Sequence, residues 1–292
     1  MATGATDWLS DRFEENRPHL RSVAYRMLGS LDDADDAVQE AWLRLSRQDS
    51  GIENLGGWLT TVVGRICVDM LRSRRSKREE PLESNIPDFI VSARGGPEEE
   101  VMTADSVGLA LLVVLDSLNP SERLAFVLHD MFAMPFEEIA PVVGRSPAAA
   151  RQLASRARRR VQGATPANAG YAQRRSVVDA FLAAAREGDF EALVAVLDPN
   201  VLLLADREPA SKGIRGAREV ASQAVTFSTK VVARLEHVLV NGAPGVVSWL
   251  SNGRPLSIMG FVVAGKHIRE MYVISQPQRV RQLLGLPRVV SP

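Results

Sequence analysis

The chain has 292 residues, which at roughly 100–200 residues per domain predicts two or three domains, and its 35 basic and 35 acidic side chains sum to zero. A hydrophobic fraction of 46% is ordinary for a globular protein, and the apolar run Val107–Leu115 is too short to cross a bilayer. The start of the chain lacks the pattern of a secretory signal, and the single cysteine excludes an internal disulfide or a Cys-rich zinc site, so we expect a cytoplasmic protein without a membrane partner.

A net charge of zero argues against a nucleic-acid binder, but the charges are unevenly distributed. Residues 1–163 carry 20 basic and 25 acidic side chains, whereas residues 164–292 carry 15 and 10. Residues 65–78 and 145–160 each contain six basic side chains, and residues 32–40 contain five acids and no base. One charged run is typical of a solvated helix face, but two basic blocks separated by an acidic segment are harder to explain in that way.

The first part of the chain, residues 8–78, is predicted to be helical. Apolar residues recur at helical spacing in DDADDAVQEAWLRLSR, where Asp32 or Asp33 is the expected N-cap. A loop rich in Gly, Asn and Ser follows, and a second helix over about Trp58–Arg75 ends in the first basic block. Residues 79–105 contain three prolines, a Gly pair and mostly acidic charges, which predicts a linker.

Residues 106–163 return to a helical pattern that contains a helix-turn-helix, FEEIAPVVGRSPAAARQLASRARRRVQG. Gly144 is predicted to lie in the turn, with Ser146 as the N-cap and Pro147 in the first helical position. The second helix is expected to bury Ala150, Leu153, Ala157 and Val161 and to present Ala149, Arg151, Gln152, Ser155, Arg156 and Arg159.

The last part of the chain changes character after residues 164–170. Two helical segments, VVDAFLAAAREG and FEALVAVLD, are followed by five strand-like runs that are separated by turns rich in Gly, Asn and Pro. Helices followed by consecutive strands predict an α+β domain with an antiparallel sheet.

Three strings in the first half of the chain are RMLGSLDDADDAVQEAWLRL, GWLTTVVGRICVDMLRSRR and LNPSERLAFVLHDMFAMPFEEIAPVVGRSPAAARQLASRARRRV. In this order they resemble a bacterial sigma factor of the extracytoplasmic-function (ECF) group. The resemblance implies two all-α sigma domains, a region two helical bundle at 8–78 and a region four helix-turn-helix at 106–163, joined by the acidic linker 79–105. It further implies an alternative sigma factor that binds core RNA polymerase, recognises the −10 and −35 promoter elements and initiates transcription, without enzymatic activity, cofactor or metal.

Site residues are carried over from this resemblance position by position. In region two, an acidic helix would dock on the β′ clamp helices of the polymerase, since an acidic face suits a basic partner; a merely solvated acidic face is the alternative. The clamp-facing residues would be Asp32, Asp35, Asp36, Gln39 and Glu40. The −10 element would be held by Asn54, Trp58, Thr61 and Arg65, with Arg72, Arg74 and Arg75 on phosphates. Trp58 taken alone is more typical of a core position than of a stacking platform.

Region four would place its second helix in the major groove of the −35 element and would also contact the polymerase β flap. The candidate DNA contacts are Arg151, Gln152, Ser155, Arg156 and Arg159, and Arg158 and Arg160 could meet only phosphate. Residues 79–105 reach about 90–97 Å when extended at roughly 3.3–3.6 Å per residue. Promoter elements ~20 base pairs apart are separated by roughly 68 Å, so one chain can bridge both. The acidity of the linker would suit a basic polymerase channel, a hypothesis that rests on Glu98, Glu99 and Glu100.

The C-terminal domain, about residues 174–288, resembles the cone-shaped α+β SnoaL-like domain that is fused to some ECF sigma factors. The resemblance implies that this domain regulates the sigma domains through intramolecular contact, which its net positive charge would favour. Three segments depart from the usual pattern of that fused group: NIPDFI in the linker, ADREPASKG, and the tail segment QPQRV.

The sequence leaves open a C-terminal domain with a ligand-binding pocket but no chemistry, and it also leaves open two rival functions for the whole protein. The first is a helix-turn-helix regulator whose C-terminal domain senses a small molecule, although the acidic helix and the first basic block have no purpose in that protein. The second is a SnoaL-type enzyme with a DNA-binding extension. Its candidate acid or base residues would be Asp206, His237 and His267, which no motif spacing pairs.

Overall fold

The computed structural model describes residues 3–48, 52–77, 86–93, 108–164, 170–206, 213–230 and 234–287. The chain divides into two units. The N-terminal unit contains Met1–Glu80 and Leu112–Ala164, and the C-terminal unit contains Pro81–Leu111 and Thr165–Pro292.

Helices build the N-terminal unit. Among the described residues, no helix is both long and apolar enough to span a bilayer. In chain order the helices are α1 (Thr3–Leu28), α2 (Leu31–Leu45), α3 (Leu55–Lys77), α4 (Leu109–Ser117), α5 (Pro120–Phe126), a π-helical turn (Val127–Met131), α6 (Phe136–Val143) and α7 (Pro147–Ala164). The boundary between the two units falls within α4.

The N-terminus of α2 differs from the sequence prediction. Ser30 is the N-cap, with an extended backbone (φ −124°, ψ 135°) and a side chain that accepts a hydrogen bond from the amide of Asp33. Asp32 and Asp33 instead lie inside the first turn, where their carboxylates interact favourably with the positive end of the helix dipole. The prediction was wrong because any of three neighbouring side chains has the chemistry of a cap.

The helix-turn-helix matches its prediction closely. Gly144 ends α6 in the left-handed region (φ 65°), and the Ser146 side chain accepts a hydrogen bond from the amide of Ala149 at 3.3 Å. Helix α7 packs on α5 and α6 through Ala150, Ala154 and Ala157, which are fully buried. Ala154 was not predicted to be buried, and Leu153 and Val161 are only half-buried. The small alanines thus form the packed face and let α7 approach its neighbours closely.

The two helical segments of the N-terminal unit pack against each other. Arg123 of α5 is only 3% exposed, and it donates hydrogen bonds to the carbonyl of Met27 (2.7 Å) and to Asp116 (2.8 Å). A Cβ atom on Gly64 of α3 would lie 3.1 Å from Leu124 Cδ1. Helix α3 therefore lies directly against α5, and the two predicted sigma domains share one packed unit.

In the described part of the C-terminal unit, four helices accompany a seven-stranded sheet, which confirms the predicted α+β class. The helices are α8 (Tyr171–Glu187), α9 (Phe190–Val196), α10 (Ala217–Lys230) and α11 (Pro277–Leu283). The strands are β1 (Val91–Ala93), β2 (Leu197–Ala205), β3 (Ile214–Arg215), β4 (Arg234–Val240), β5 (Ala243–Trp249), β6 (Pro255–Ala264) and β7 (His267–Ile274), in the spatial order β1-β4-β5-β6-β7-β2-β3.

Two features of the sheet depart from the prediction. Strand β2 pairs in parallel with β7, so the sheet is not wholly antiparallel. A parallel pair needs a long crossover, and the intervening chain with α10 and the β4–β7 meander supplies it. Strand β1 comes from the segment predicted to be a linker and pairs antiparallel with β4 at the edge of the sheet.

Replacing Arg123 with Ala should destabilise the N-terminal unit. The change leaves the buried Met27 carbonyl and Asp116 without a charged donor, which we expect to lower the free energy of unfolding by about 2–3 kcal/mol. Urea unfolding followed by circular dichroism measures this loss. The matched control is Arg145→Ala, an exposed site where the change should stay within about 0.5 kcal/mol. Equal stability of the two variants would contradict the assigned role of Arg123.

Candidate functional site

Helix α2 presents an acidic face. Its opposite face is fully buried through Ala34, Ala37, Val38 and Ala41, which fixes the rotation of the helix. The predicted clamp-facing residues therefore lie on the outer side, where all but one are exposed and Glu40 is half-buried. These residues are Asp32, Asp35, Asp36, Gln39 and Glu40.

Two of these carboxylates also have partners within the N-terminal unit. Asp35 accepts a hydrogen bond from Arg21 at 2.6 Å, and this contact raises the pKa of the Arg21 guanidinium. Glu40 accepts one from Arg44 at 2.9 Å. Both pairs are largely solvated, so each contributes little to stability and can exchange for an intermolecular partner.

Leu43 is a member of this surface that sequence reasoning missed. Its side chain is 41% exposed, one helical turn beyond Gln39 and two beyond Asp36. Residues at i, i+3, i+4 and i+7 share one helix face. The signal was present in the sequence, since Leu43 falls off the apolar stripe of α2, but a single exposed leucine is common on protein surfaces.

The four predicted −10 residues lie along the N-terminal half of α3. Asn54 is the cap of this helix, because its side-chain oxygen accepts a hydrogen bond from the amide of Gly57 at 3.0 Å. Trp58 and Thr61 are half-buried, which leaves part of each side chain accessible. Arg65 is exposed and donates to the carbonyl of Pro141 at 3.2 Å, so α6 covers part of this surface.

The three arginines at the end of α3 differ from one another. Arg74 is half-buried, pairs with Asp33 and donates to the carbonyl of Leu28 at 3.3 Å, so it ties α3 to α1 and α2. Arg72 is exposed at the surface, 3.8 Å from Asp69. The Arg75 side chain lies outside the described part of the chain.

The arginines of α7 fall into two groups. Arg158 pairs with Asp130 at 2.6 Å and Arg160 with Glu122 at 3.1 Å, so both are committed to contacts within the unit. Arg151 is exposed, with its guanidinium 5.0 Å from the centre of the Phe136 ring. The other predicted contacts are the exposed Gln152, Arg156 and Arg159 and the half-buried Ser155.

The linker is held by the C-terminal sheet. In the β1–β4 pair, Val91 lies opposite Val240 and Ser92 opposite Leu239. Asn241 lies at the tip of the β4–β5 hairpin. Its backbone N–H donates to the carbonyl of Ile90 at 2.9 Å, and its side-chain oxygen accepts from the backbone N–H of Ile90 at 3.2 Å. Residues 86–93 of the predicted linker are thus built into the C-terminal unit. The segment Glu98–Glu100 lies outside the described residues.

Apolar contacts hold the same segment against the face of the sheet. Ile86 and Phe89 are 4% and 1% exposed. A Cβ atom on Gly260 of β6 would lie 2.7 Å from Leu109 Cδ2 and 3.5 Å from Phe89 Cζ. Glycine at this position therefore gives the linker side chains room to reach the sheet.

The three segments that depart from the usual fused pattern meet in one charged cluster. Arg279 donates to Asp88 at 2.6 Å and to the carbonyl of Ile86 at 2.7 Å. Asp206, with a side chain only 5% exposed, lies 3.8 Å from the same guanidinium. Asp206 also accepts hydrogen bonds from the amide and the hydroxyl of Ser275, at 2.6 and 3.0 Å. We call Asp88, Asp206 and Arg279 the linker clamp.

The candidate catalytic residues of the C-terminal unit are not brought together. Asp206 belongs to the linker clamp, His237 lies 3.8 Å from Asp179, and His267 is exposed in β7. Among the described residues, no group of three His, Cys, Asp or Glu side chains could hold a metal ion. Cys67 is fully buried in α3, and burial raises the pKa of its thiol.

Comparisons with known proteins agree with this arrangement. The family model of sigma-70 region 2 matches residues 12–77, and that of sigma-70 region 4 matches residues 108–161. The ECF RNA polymerase sigma factor SigJ of Mycobacterium tuberculosis is 41% identical over 238 residues, which cover 80% of this chain and 74% of SigJ. The probable ECF RNA polymerase sigma factor SigI of the same organism is 35% identical over 284 residues, which cover 95% of this chain and 96% of SigI.

A solved structure extends the similarity to the full fold. The crystal structure of Mycobacterium tuberculosis SigJ matches with a TM-score of 0.73 at 35% identity, and the match covers 92% of this chain and 97% of that one. Two sigma domains and an α+β domain thus occur in the same order in both proteins. The chain belongs to the extracytoplasmic-function RNA polymerase sigma factors.

Proposed function

We propose that the chain docks on core RNA polymerase through the acidic face of α2 and directs it to a two-part promoter. The supporting observation is that one chain carries both an exposed acidic helix and a helix-turn-helix with exposed arginines. Asp36, Gln39 and Leu43 lie on one face of α2 and would meet the β′ clamp helices. Leu43 would supply apolar contact at the centre of this surface, and the carboxylates would set the register. The protein would act in the cytoplasm.

Promoter binding requires the N-terminal unit to open. Elements ~20 base pairs apart lie roughly 68 Å from each other along B-DNA. In this structure α3 packs directly on α5, and Arg65 is held by the carbonyl of Pro141. The packed unit is therefore a closed state that cannot reach both elements at once. Polymerase would open it by binding the two sigma domains at separate places, the clamp helices and the β flap.

In the open state, α7 would enter the major groove of the −35 element. Arg151, Gln152, Ser155, Arg156 and Arg159 are proposed to face the DNA, because Arg158 and Arg160 are already paired with carboxylates. On α3, Asn54, Trp58, Thr61 and Arg65 are proposed to hold the −10 strand. Arg72 is the better candidate for a phosphate contact there, since Arg74 is committed to Asp33.

The C-terminal domain would regulate this cycle through the linker. A linker that follows the polymerase surface must leave the edge of the sheet, because backbone groups paired with β4 are not available to another partner. The C-terminal domain and the polymerase would therefore compete for residues 86–93. This makes the linker clamp an autoinhibitory contact, without any catalytic step.

Changes on the outer face of α2 should weaken binding to core polymerase. We expect Asp36→Lys and Leu43→Ala each to reduce the affinity roughly tenfold, because each removes a contact from the centre of the surface. Titration of labelled protein with core polymerase measures the affinity, and run-off transcription from a cognate promoter should fall with it. Glu187→Lys, an exposed acid in the C-terminal unit, is the matched control. Wild-type affinity in both α2 variants would contradict the docking surface.

Arginine changes in α7 should separate DNA contacts from structural pairs. Arg156→Ala or Arg159→Ala should lower promoter affinity of the holoenzyme and reduce the slope of log affinity against log salt by about 0.9. Arg158→Ala removes the partner of Asp130, so it should lower stability and leave the salt slope unchanged. Filter binding at several salt concentrations, with thermal unfolding in parallel, checks both. The assignment fails if Arg158→Ala alone changes the slope.

Breaking the linker clamp should activate transcription. Arg279→Glu places a carboxylate against Asp88 and Asp206, so the linker should leave the sheet and run-off transcription at limiting protein should rise several-fold. Arg281→Glu, on the same helix but bonded to the carbonyl of Pro287, is the control.

Locking the same contact should have the opposite effect. Ser92 and Leu239 are opposite in the ladder, at a separation that a disulfide can bridge, and Cys67 is buried. The double variant Ser92→Cys, Leu239→Cys should lose transcription when oxidised and regain it on reduction. Unchanged transcription in both the released and the locked protein would overturn autoinhibition through the linker.

A further inference from the structure

A cavity of about 360 Å³ lies within the C-terminal unit. Helices α8 and α10 contribute one wall through residues such as Phe181 and Ala224, and the strands contribute the other through residues such as Leu203, Met259 and Met271. A volume of this size falls within the range of ~300–1,000 Å³ that is usual for small-molecule sites.

The cavity has an uncharged lining. The described residues that line it include no acid, no base and no nucleophilic thiol; its only polar side chains are Gln223, Ser228, Ser257 and Ser275. Ser257 is fully buried and shares a 2.6 Å hydrogen bond with Ser248, while Ser275 donates to Asp206. Gln223 and Ser228, both on α10, are thus the groups best placed to bond an occupant.

The uncharged, mostly apolar lining determines which kind of ligand the cavity can bind. An anion or cation would lose its hydration without gaining a partner of opposite charge. Water is a poor occupant of an apolar space, because a buried water needs two to four polar partners. The cavity is partly open to solvent, so an occupant can enter and displace poorly bonded water. An uncharged organic molecule fits both the charge and the polarity of the lining.

We propose that this cavity binds an uncharged, largely apolar small molecule that carries one or two hydrogen-bonding groups. The inference goes beyond the proposed promoter function and does not depend on it. The site holds its ligand without chemistry, since Asp206, His237 and His267 are not among its lining residues. The edge of the cavity reaches the linker clamp through two lining residues. Ala205 precedes Asp206 in the chain, and the hydroxyl of Ser275 donates a hydrogen bond to Asp206.

An uncharged fluorescent probe tests the site directly. N-phenyl-1-naphthylamine, titrated with the purified full-length protein, should show a saturable rise in fluorescence with one probe per chain and should raise the melting temperature. Its sulfonated analogue, 1-anilinonaphthalene-8-sulfonate, has the same rings but carries a negative charge. We expect it to bind at least roughly tenfold more weakly, because no cation is among the described residues that line the cavity.

Variants on opposite walls place the probe within the cavity. Ala224→Phe on α10 and Met259→Trp on β6 each fill part of the space and should weaken probe binding roughly tenfold or more. Ser222→Trp adds a large side chain to the exposed face of α10 and is the matched control, with expected affinity within about twofold of wild type. Circular dichroism of each variant establishes that it is folded, and two walls are used so that one misfolded variant does not remove the test.

Saturable binding that both folded cavity variants weaken, and the control does not, supports the proposal. Absence of saturable binding by the wild-type protein overturns it, as does binding that neither cavity variant changes or a preference for the sulfonated probe. Because the readout is probe fluorescence, failure here is distinguishable from failure of polymerase binding or transcription.

Discussion

The pairing of linker residues 86–93 with the C-terminal sheet is the constraint on which the rest of this molecule depends. It makes these linker residues part of the C-terminal unit, and the regulation that we propose depends on it. The contact is built from a three-residue strand, one backbone and one side-chain hydrogen bond between Ile90 and Asn241, the Arg279–Asp88 pair and the buried side chains of Ile86 and Phe89. Each hydrogen bond contributes only ~0.5–1.5 kcal/mol net, whereas fully burying a large apolar side chain contributes about 1.5–3 kcal/mol. A surface that competes for the linker therefore has to replace the burial of Ile86 and Phe89 as well as the hydrogen bonds.

The charged residues of this contact, Asp88, Asp206 and Arg279, define its geometry more than they add to its stability. Asp206 is almost fully buried, and burying a carboxylate is costly unless it is paired and hydrogen-bonded. Here the amide and hydroxyl of Ser275 satisfy it, and Arg279 lies between it and Asp88. Arg279 would remain near Asp206 if the linker left the sheet, so the buried carboxylate would keep a cation beside it.

Features that depend only on neighbouring residues, such as turns and helix starts, could be predicted from the sequence. Gly144, Ser146 and Pro147 specify the turn and start of α7 within four residues, and the structure follows them. Strand β1 could not be predicted, because three residues show no periodicity and an edge strand is defined by its partner, which lies about 150 residues away in the chain. The residues that line the cavity could not be predicted either, since they come from seven separate segments. Leu43 could be predicted in part. Its position off the apolar stripe of α2 indicates exposure, but exposed leucines are too common for this to predict a binding surface.

Contacts between helices also reduce the number of arginines in the two basic blocks that are available to bind DNA. The sequence shows two runs of six basic residues, yet Arg74, Arg158 and Arg160 are neutralised by carboxylates inside the N-terminal unit. Affinity for DNA grows with the number of phosphates that free cations can neutralise, so pairing three of these twelve cations lowers the non-specific affinity of the isolated chain. Packing of α6 against Arg65 lowers it further. In the proposed open state, polymerase would expose the DNA-facing side chains that the closed unit covers. The role we propose for the paired arginines is to keep the affinity of the free protein for DNA low until it binds polymerase.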